Sequence, residues 1–250
     1  MQGERNAKFI CDFSYLMLIL PFYFNKRATM IAIVNYDTGN IRSVINALGR
    51  VGCTDWVYTD DKSILAQADK VILPGVGEAS SAMAKLVERG LDTFIPTLTQ
   101  PVLGICVGTQ LMCQSSEEGD AQCMGIFRTK VKKFQTQQLN PVGADLEPFP
   151  LVTSPLGGSE GGCSSFKIPH MGWNQITDLR TPLFKDIDEG AYIYYVHSFY
   201  PELCEDTIAT THYINAFSGA LGRDNFFGTQ FHPEKSGAVG AQIIKNFLEL

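Results

Sequence analysis

The sequence lacks the features of membrane proteins and of nucleic-acid-binding proteins. Its longest apolar run, residues 13–24, has twelve residues, which is too short for a helix that spans a bilayer. Basic residues are outnumbered, 20 against 26 acidic ones, whereas a duplex-binding protein needs a basic face for the phosphates. With 45% hydrophobic and 18% charged residues, the chain of 250 residues has globular proportions. We therefore expect a folded protein with no membrane and no nucleic-acid partner.

The sequence also has few of the patterns that hold disulfides, metals or cofactors. The seven cysteines, at positions 11, 53, 106, 113, 123, 163 and 204, are odd in number and include no C-x-x-C pair. No P-loop or G-x-G-x-x-G follows a predicted strand, and no pair of His or Cys residues has ligand spacing. The sequence thus predicts no metal and no organic cofactor. It favours a reducing, cytoplasmic compartment in which at least one cysteine is kept for its reactivity.

Two segments stand apart from the rest of the chain. Residues 1–29 hold the apolar run behind Arg5 and Lys8, as a signal peptide would, but no small-residue cleavage site follows. Met30 directly precedes an apolar strand pattern, so we expect one domain over 30–250 and an appended or untranslated leader before it; a targeting or anchoring segment is the alternative. Residues 135–166 are rich in Gly, Pro, Ser and Gln, which predicts a surface loop or disordered insertion, with a functional lid as the other interpretation.

Between these segments, short apolar stretches alternate with helical periodicity. Strands are predicted at 30–35, 56–59, 71–74 and 102–106, and helices at 40–49, 61–68, 79–98 and 108–113. After Gly125 the pattern becomes β-rich, with strands at 126–134, 191–200, 207–213 and 225–231 and a final helix at 237–250. Short apolar strands separated by helices indicate an α/β fold, with a mostly parallel central sheet, helices on both faces and a β-rich C-terminal half.

One cysteine lies on a predicted strand-to-helix turn. The segment Gly104-Ile105-Cys106-Val107-Gly108 is the cysteine form of the G-x-S-x-G nucleophile elbow. Small residues two before and two after the nucleophile are needed because the backbone passes close on each side. The helix that begins there directs its N-terminal dipole at the sulfur and favours the thiolate. A buried cysteine in a glycine-rich turn is the alternative.

A cysteine nucleophile needs a base, and the base needs a group that orients it. Among the four histidines, His232 is followed two residues later by Glu234, and residues two apart in an extended segment point the same way. Glu234 is therefore expected to fix the tautomer of the His232 ring. For an oxyanion, the Val107 N–H is one natural donor, and the glycine-containing turn around Val76 supplies the second. An ordinary surface or core histidine and an ordinary strand-ending turn are the alternatives.

Residues 104–110 (GICVGTQ), together with His232-Pro233-Glu234, resemble the class I, or triad, glutamine amidotransferases. Three further stretches, NYDTGN at 35–40, PHMGWN at 169–174 and YVHSFY at 195–200, are similar to one branch of that family, the glutaminase subunits of imidazole glycerol phosphate synthases in histidine biosynthesis. The resemblance covers about 30–134 and 167–250. It implies a flavodoxin-like α/β fold and hydrolysis of L-glutamine to glutamate and ammonia. The ammonia would pass to a cyclase subunit in a heterodimer.

The resemblance also implies a role for each matching residue. Cys106 would form a γ-glutamyl thioester, His232 would take its proton and later protonate the departing ammonia, and Glu234 would orient His232. The implied substrate-binding residues are Gly75, Gly77, Gln110, Glu118, His197, Ser198 and Phe199. The residues implied to lie toward the cyclase or the ammonia passage are Asn40, Trp173, Asn174, Tyr194 and Lys235. Asp37 occupies a position where this branch often has glycine, which makes contacts near that turn less certain.

Other functions stay open at this point. A glutaminase that serves anthranilate, pyridoxal phosphate or nucleotide synthesis would need a different partner, and the PHMGWN stretch argues against it. A stand-alone cysteine hydrolase of the same fold, such as a γ-glutamyl hydrolase, would be fully active alone. A catalytically silent binding subunit is disfavoured by the intact Cys106, His232 and Glu234. The implied binding residues that also fit a structural role in the core or on the surface are Gln110, Glu118, Trp173 and Tyr194.

Overall fold

Strands and helices follow one another along three stretches of the chain. The computed structural model describes residues 29–37, 40–135 and 166–250. Its strands are β1 (Ile31–Val34), β2 (Trp56–Thr59), β3 (Lys70–Leu73), β4 (Val102–Ile105), β5 (Ser115–Ser116), β6 (Ala121–Gln122), β7 (Lys130–Lys133), β8 (His170–Ile176), β9 (Ala191–His197), β10 (Phe199–Pro201), β11 (Thr207–His212), β12 (Ala216–Arg223) and β13 (Phe226–Thr229). Its α-helices are α1 (Ile41–Arg50), α2 (Lys62–Gln67), α3 (Ala79–Glu88), α4 (Val107–Leu111) and α5 (Gly237–Glu249).

A seven-stranded sheet in the order β11-β12-β13-β4-β3-β1-β2 forms the core. The strands from β13 to β2 run parallel to one another, whereas β11 and β12 pair antiparallel with their neighbours. All residues of β1, β3 and β4 are buried, which requires cover on both faces of the sheet. The predicted α/β fold with a mostly parallel central sheet is confirmed.

The helix predicted at 79–98 is wrong in its second half. Helix α3 ends at Glu88, because Gly90 adopts a left-handed conformation with a φ of 61° and the chain then turns through a short 3-10 segment that contains Pro96. The strand predicted at 191–200 is divided at Ser198 into β9 and β10, which pair with β8 and β7 respectively. Strands β8 and β12 are not apparent from the sequence, because polar residues and glycines interrupt their apolar pattern.

An antiparallel hairpin of β8 and β9 packs against the chain that follows β13. The Tyr194 carbonyl accepts a hydrogen bond from the His232 N–H at 2.9 Å, and the Tyr194 N–H donates to Ser236 Oγ at 2.9 Å. Burial alternates along β8, so His170 and Asn174 face inward while Trp173 faces outward. The hairpin therefore connects a surface to the segment that carries His232.

The predicted leader and insertion cannot be placed in this fold. Residues 1–29 and 135–166 lie outside the described residues, apart from Thr29, Gln135 and Phe166. Among the helices of the described residues, none has the length and apolar character needed to cross a membrane.

Candidate active site

Three neighbouring parallel strands bring the residues that follow them to one edge of the sheet. Strands β3, β4 and β13 are adjacent and parallel, so their carboxyl ends meet at this edge. Cys106 directly follows β4, and Gln230 and His232 follow β13. Thr229 pairs with Ile105 in the register of these two strands. The parallel pairing of β4 with β13 therefore brings His232 close to Cys106.

Cys106 has the strained backbone of a nucleophile elbow. Its φ of 52° and ψ of −111° lie in a region that residues other than glycine seldom adopt, and helix α4 begins at the next residue. A Cβ on Gly108 would lie 2.0 Å from the carbonyl oxygen of Leu73, and one on Gly104 would lie 2.4 Å from Met112 Cε. The strand-to-helix turn and the close backbone approach that the sequence predicts are both present. Cys106 itself is only 5% exposed.

His232 and Glu234 form a buried pair next to the cysteine. Nδ1 of His232 lies 2.8 Å from Oε1 of Glu234, and the two side chains are 3% and 4% exposed. The His232 carbonyl accepts from Ser236 Oγ at 2.6 Å, which together with the bond to Tyr194 fixes the backbone on both sides. Among the described residues, His232 Nε2 has no hydrogen-bond partner within range. Proton exchange between this nitrogen and Cys106 stays a prediction.

The electrostatics of this pair favour a protonated imidazole. Burial alone would lower the pKa of His232, but the adjacent Cys106 sulfur, followed by the Glu234 carboxylate, outweighs burial and raises that pKa to about 10. At neutral pH the His232 imidazole is therefore protonated.

The glycine turn after β3 packs directly on the elbow. A Cβ on Gly75 would lie 2.0 Å from the Gly108 nitrogen, and Gly77 has a φ of 90°, so both positions require glycine. The turn backbone therefore lies against the first residues of α4. Val76 and Val107 belong to these two adjoining segments, and their role as oxyanion donors stays a prediction.

Two predicted substrate-binding side chains already have partners in this structure. Gln110 is 2% exposed, and its Nε2 donates to the Phe199 carbonyl at 3.1 Å and to Gln230 Oε1 at 2.9 Å. Both hydrogens on that nitrogen are occupied, which leaves only Oε1 of Gln110 for a substrate. Glu118 accepts from the Ala79 N–H at 2.9 Å, and burial raises the pKa of its carboxyl group. Substrate contacts of both residues stay predictions.

The His197 imidazole is enclosed in the core. The residue is 6% exposed, its Nδ1 lies 2.8 Å from the Phe199 carbonyl oxygen, and its Nε2 lies 2.9 Å from His170 Nδ1. No ring nitrogen remains for a substrate. A substrate contact of His197 would therefore have to come from its backbone, and the substrate contacts of Ser198 and Phe199 stay predictions.

The residues predicted to face a partner divide between the two faces of the β8–β9 hairpin. Trp173 is 52% exposed on the outer face, and the Tyr194 ring lies beside it with 6.0 Å between centroids. Asn174 is 6% exposed on the inner face and donates to a β11 carbonyl at 2.8 Å. Asn40 and Lys235 are exposed. The Asn174 side chain thus faces away from the surface that Trp173 forms, and the partner contacts of all five residues stay predictions.

Gln230 is a buried residue at the site that the sequence motifs do not single out. It is fully buried, and its Nε2 donates to Cys106 Sγ at 3.7 Å. The signal for Gln230 in the sequence is its position two residues before His232. Glu234 lies in the 3-10 segment Pro233–Lys235, so a turn brings it to His232 and the extended segment expected from the sequence is wrong.

The comparison with protein families identifies the class of this protein. A family model described as glutamine amidotransferase class-I matches residues 32–250. The chain therefore belongs to the class I glutamine amidotransferase family, and the resemblance carried by the elbow and the His-Pro-Glu segment is confirmed.

Curated relatives narrow the comparison to one branch. The imidazole glycerol phosphate synthase subunit HisH of Bacteroides fragilis (strain YCH46) is 50% identical over 220 residues, which are 88% of this chain and 99% of the relative. The subunit of the same name from Pectobacterium atrosepticum is 46% identical over 222 residues, with 87% and 99% covered.

Solved structures share the fold at low sequence identity. PurLQS from Thermotoga maritima has a TM-score of 0.55 and 18% identity, with 89% of this chain and 98% of that chain covered. A glutamine amidotransferase from the same organism has a TM-score of 0.51 and 15% identity, with 89% and 81% covered. These structures support the fold alone.

Proposed function

We propose that this chain is the glutaminase subunit of an imidazole glycerol phosphate synthase, an enzyme of histidine biosynthesis. It hydrolyses L-glutamine to glutamate and ammonia and passes the ammonia to a cyclase subunit, which forms imidazole glycerol phosphate and AICAR. The observation that carries the proposal is the buried arrangement of Cys106, His232 and Glu234 on a nucleophile elbow, in a chain 50% identical to a subunit of that name.

The chemistry follows from the positions of the three side chains. The Cys106 thiolate attacks the side-chain amide carbon of glutamine, and the oxyanion forms against the N–H groups of Val107 and the turn after β3. As the C–N bond breaks, His232 gives its proton to the nitrogen, which leaves as ammonia, and a γ-glutamyl thioester remains on the sulfur. Water then attacks the thioester while His232 takes a proton, so that glutamate leaves and the thiolate–imidazolium pair is restored. Glu234 holds Nδ1 of the ring throughout.

Access to the sulfur is restricted. Cys106 is 5% exposed, so glutamine has to approach it in a largely enclosed site. The turn after β3 is suited to move, because Gly75 and Gly77 permit a peptide flip. If this flip aligned an oxyanion donor only when the partner is loaded, wasteful hydrolysis would be avoided.

Ammonia chemistry explains why a partner has to dock close to the site. Free ammonia in neutral water is mostly ammonium, which is not a nucleophile, so a synthase must receive it through a closed interface. The outer face of the β8–β9 hairpin suits the cyclase, because Met171, Trp173 and Tyr192 are 62%, 52% and 42% exposed there. The same hairpin bonds the His232 backbone through Tyr194. A cyclase on this face would therefore lie next to the departing ammonia.

We also propose a cytoplasmic location. The cysteines of the described residues carry free thiols, which suits a reducing compartment. They are Cys53, Cys106, Cys113, Cys123 and Cys204.

The test is whether the release of ammonia from glutamine depends on Cys106. In the complex with the cyclase subunit and its nucleotide substrate, Cys106→Ala should reduce synthesis from glutamine by more than about 10³-fold, while synthesis from added ammonium salt survives. Cys53→Ala makes the same change at a half-buried thiol outside the site and should leave both routes intact. Loss of both routes in Cys106→Ala would indicate a structural role and contradict the proposal.

The isolated wild-type chain separates this proposal from the alternatives. A γ-glutamyl hydrolase would be fully active without a partner. A glutaminase of another synthase would not supply the cyclase with ammonia. Either result would replace the proposed function.

A further inference from the structure

A line of buried polar side chains runs from Cys106 to the β8–β9 hairpin. This line is separate from the triad, because it reaches the Cys106 sulfur through Gln230 and not through His232. Gln230 is fully buried, and its place beside Cys106 follows from the pairing of the preceding residue, Thr229, with Ile105. A buried amide without partners is costly, so the bonds that this amide makes decide how it is oriented.

The neighbours of Gln230 permit only one orientation of its amide. Its Oε1 accepts a hydrogen bond from Gln110 Nε2 at 2.9 Å, which forces its own Nε2 to the other side. There Nε2 donates to Cys106 Sγ at 3.7 Å. A flipped amide would place two nitrogens against each other and would present an oxygen to the sulfur. The sulfur therefore faces a fixed N–H donor.

Gln110 is held in turn by a shared backbone carbonyl. Its second Nε2 hydrogen goes to the Phe199 carbonyl at 3.1 Å, and the same oxygen lies 2.8 Å from His197 Nδ1. Because a carbonyl only accepts, Nδ1 of His197 carries the proton and its Nε2 is an acceptor. His170 Nδ1, 2.9 Å away, must then be the donor. These bonds fix the tautomers of both rings.

The line ends on the inner face of β8. With its proton on Nδ1, His170 accepts at Nε2 from Asn174 Nδ2 at 3.3 Å. Each hydrogen bond on the path from Asn174 through the two histidines is thus donated toward the Phe199 carbonyl. Both imidazole rings are neutral. Burial lowers the pKa of His170 to about 4 and that of His197 to about 3, so the arrangement stays intact at neutral pH.

We propose that Gln230 is a positioning residue whose amide donates to the Cys106 sulfur and holds the thiolate ready for attack, in an orientation imposed by Gln110 and the Phe199 carbonyl. A donor at the sulfur stabilises the charged thiolate more than the neutral thiol. It also restricts rotation of a side chain that stands on a strained backbone. The inference rests on the proposed function only for the identity of the substrate.

Two substitutions separate the donor from the bulk of the side chain. Gln230→Leu removes the donor and shortens the side chain without adding a charge beside the sulfur. Gln230→Met keeps the length and removes both polar atoms. Asn246→Leu is the matched control, because Asn246 is a buried amide of α5 whose Nδ2 donates to the carbonyls of Leu183 and Lys185.

The readout is the rate at which iodoacetamide alkylates Cys106 in the full chain, followed by mass spectrometry as a function of pH. In both Gln230 variants the pH of half-maximal rate should rise by about 0.5–1 unit, because a hydrogen bond to a charged group is lost. In the complex with the cyclase subunit, kcat for glutamine should fall about tenfold while KM changes less than about twofold, since the donor touches the sulfur. Asn246→Leu should lower thermal stability and leave the half-maximal pH unchanged.

A half-maximal pH within about 0.2 unit of wild type in a folded Gln230 variant overturns the proposal, and so does a loss of kcat that Asn246→Leu reproduces. If Gln230→Met does not fold, Gln230→Leu decides the question by the same criterion. Alkylation requires no glutamine. A wild-type chain that fails to hydrolyse glutamine would therefore count against the proposed function and not against the role of Gln230.

Discussion

Replacing Gly108 by alanine tests whether the elbow depends on backbone contact. Gly108 is the second residue of α4, and a Cβ there would lie 2.0 Å from the Leu73 oxygen and 3.0 Å from the Leu73 carbon. Both atoms are backbone at the end of β3, so no side chain can rotate away. The end of β3 and the start of α4 must separate by about 1.4 Å to restore ordinary contact.

The size of the effect follows from this separation. Overpacking of a tight site costs about 1–3 kcal/mol, and two rigid backbone segments place Gly108→Ala at the upper end. We expect a loss of about 2–3 kcal/mol in the free energy of unfolding and a fall of about 5–10 °C in Tm. The same displacement moves the turn after β3 away from Cys106, so kcat should fall by about 10²-fold.

Gly49→Ala is the matched control for the same chemical change. Gly49 is an exposed residue of α1, and a Cβ there would have nothing within 4 Å. The substitution should raise the free energy of unfolding by about 0.5 kcal/mol, because alanine loses less backbone entropy than glycine in a helix, and it should leave kcat unchanged. Thermal unfolding and glutaminase assays measure both variants. If Gly108→Ala matched Gly49→Ala in Tm and kcat, the close-contact argument would be refuted.

Three further outcomes are expected. The alkaline limb of kcat/KM should lie near pH 10, where His232 loses its proton, and Glu234→Gln should move it to lower pH because the charge that supports the imidazolium is lost; a limb near pH 6.5 in wild type would contradict this. Burial lowers the pKa of His170 to about 4, so the unfolded chain binds this proton first, and stability should fall as pH drops from 6.5 toward 4, with a slope of up to about 1.4 kcal/mol per pH unit. In urea unfolding, the free energy of unfolding of His170→Gln should depend less steeply on pH than that of wild type. An equal slope in the two proteins would assign the acid sensitivity to other groups. Trp173→Ala should weaken binding of the cyclase subunit by about 10–100-fold in calorimetry, whereas Val87→Ala, at a residue 56% exposed on α3, should not.

The central sheet could be predicted because its strands are buried on both faces. Ile31–Val34 and Val102–Ile105 are fully apolar or small, and such runs stand out without any knowledge of their neighbours. Strand His170–Ile176 carries no such run, because its inward residues His170 and Asn174 are polar and bond to one another inside the fold. Buried polar residues of this kind resemble surface residues in the sequence, so the hydrophobic pattern does not predict this strand.

The triad and the line behind it differ in the same way. The sequence points to Cys106, His232 and Glu234 because the elbow motif and the His-Pro-Glu segment are both local, and the catalytic roles of these residues stay a proposal. Gln230 and Gln110 meet only after β13 has paired with β4, and a glutamine alone carries no sign of burial. The sequence therefore specifies the reacting groups locally, whereas the groups that hold them depend on tertiary pairing.

That pairing has its own determinants at both ends of β13. Before the strand, Asn225 Nδ2 donates to the carbonyls of Leu98 and Gln100 at 2.9 and 2.8 Å. At its end, the Thr229 carbonyl accepts from the Cys106 N–H at 2.7 Å. Hydrogen bonds at both ends of β13 therefore fix its register relative to β4.

The register of β13 matters as much to catalysis as the identity of the triad. A slip of two residues would keep every side chain on its own face but would carry His232 about 6.6 Å along the edge, beyond reach of the sulfur. Thr109 opposes such a slip, because its Oγ1 donates to the Thr229 carbonyl at 2.8 Å and its Cγ2 fills the space where Gly228 has no Cβ, 2.4 Å from where that atom would be. A larger residue than glycine does not fit opposite Thr109, so the slipped strand, with Phe226 at that place, is excluded by contact. The threonine of the elbow helix thus selects the alignment in which nucleophile and base meet.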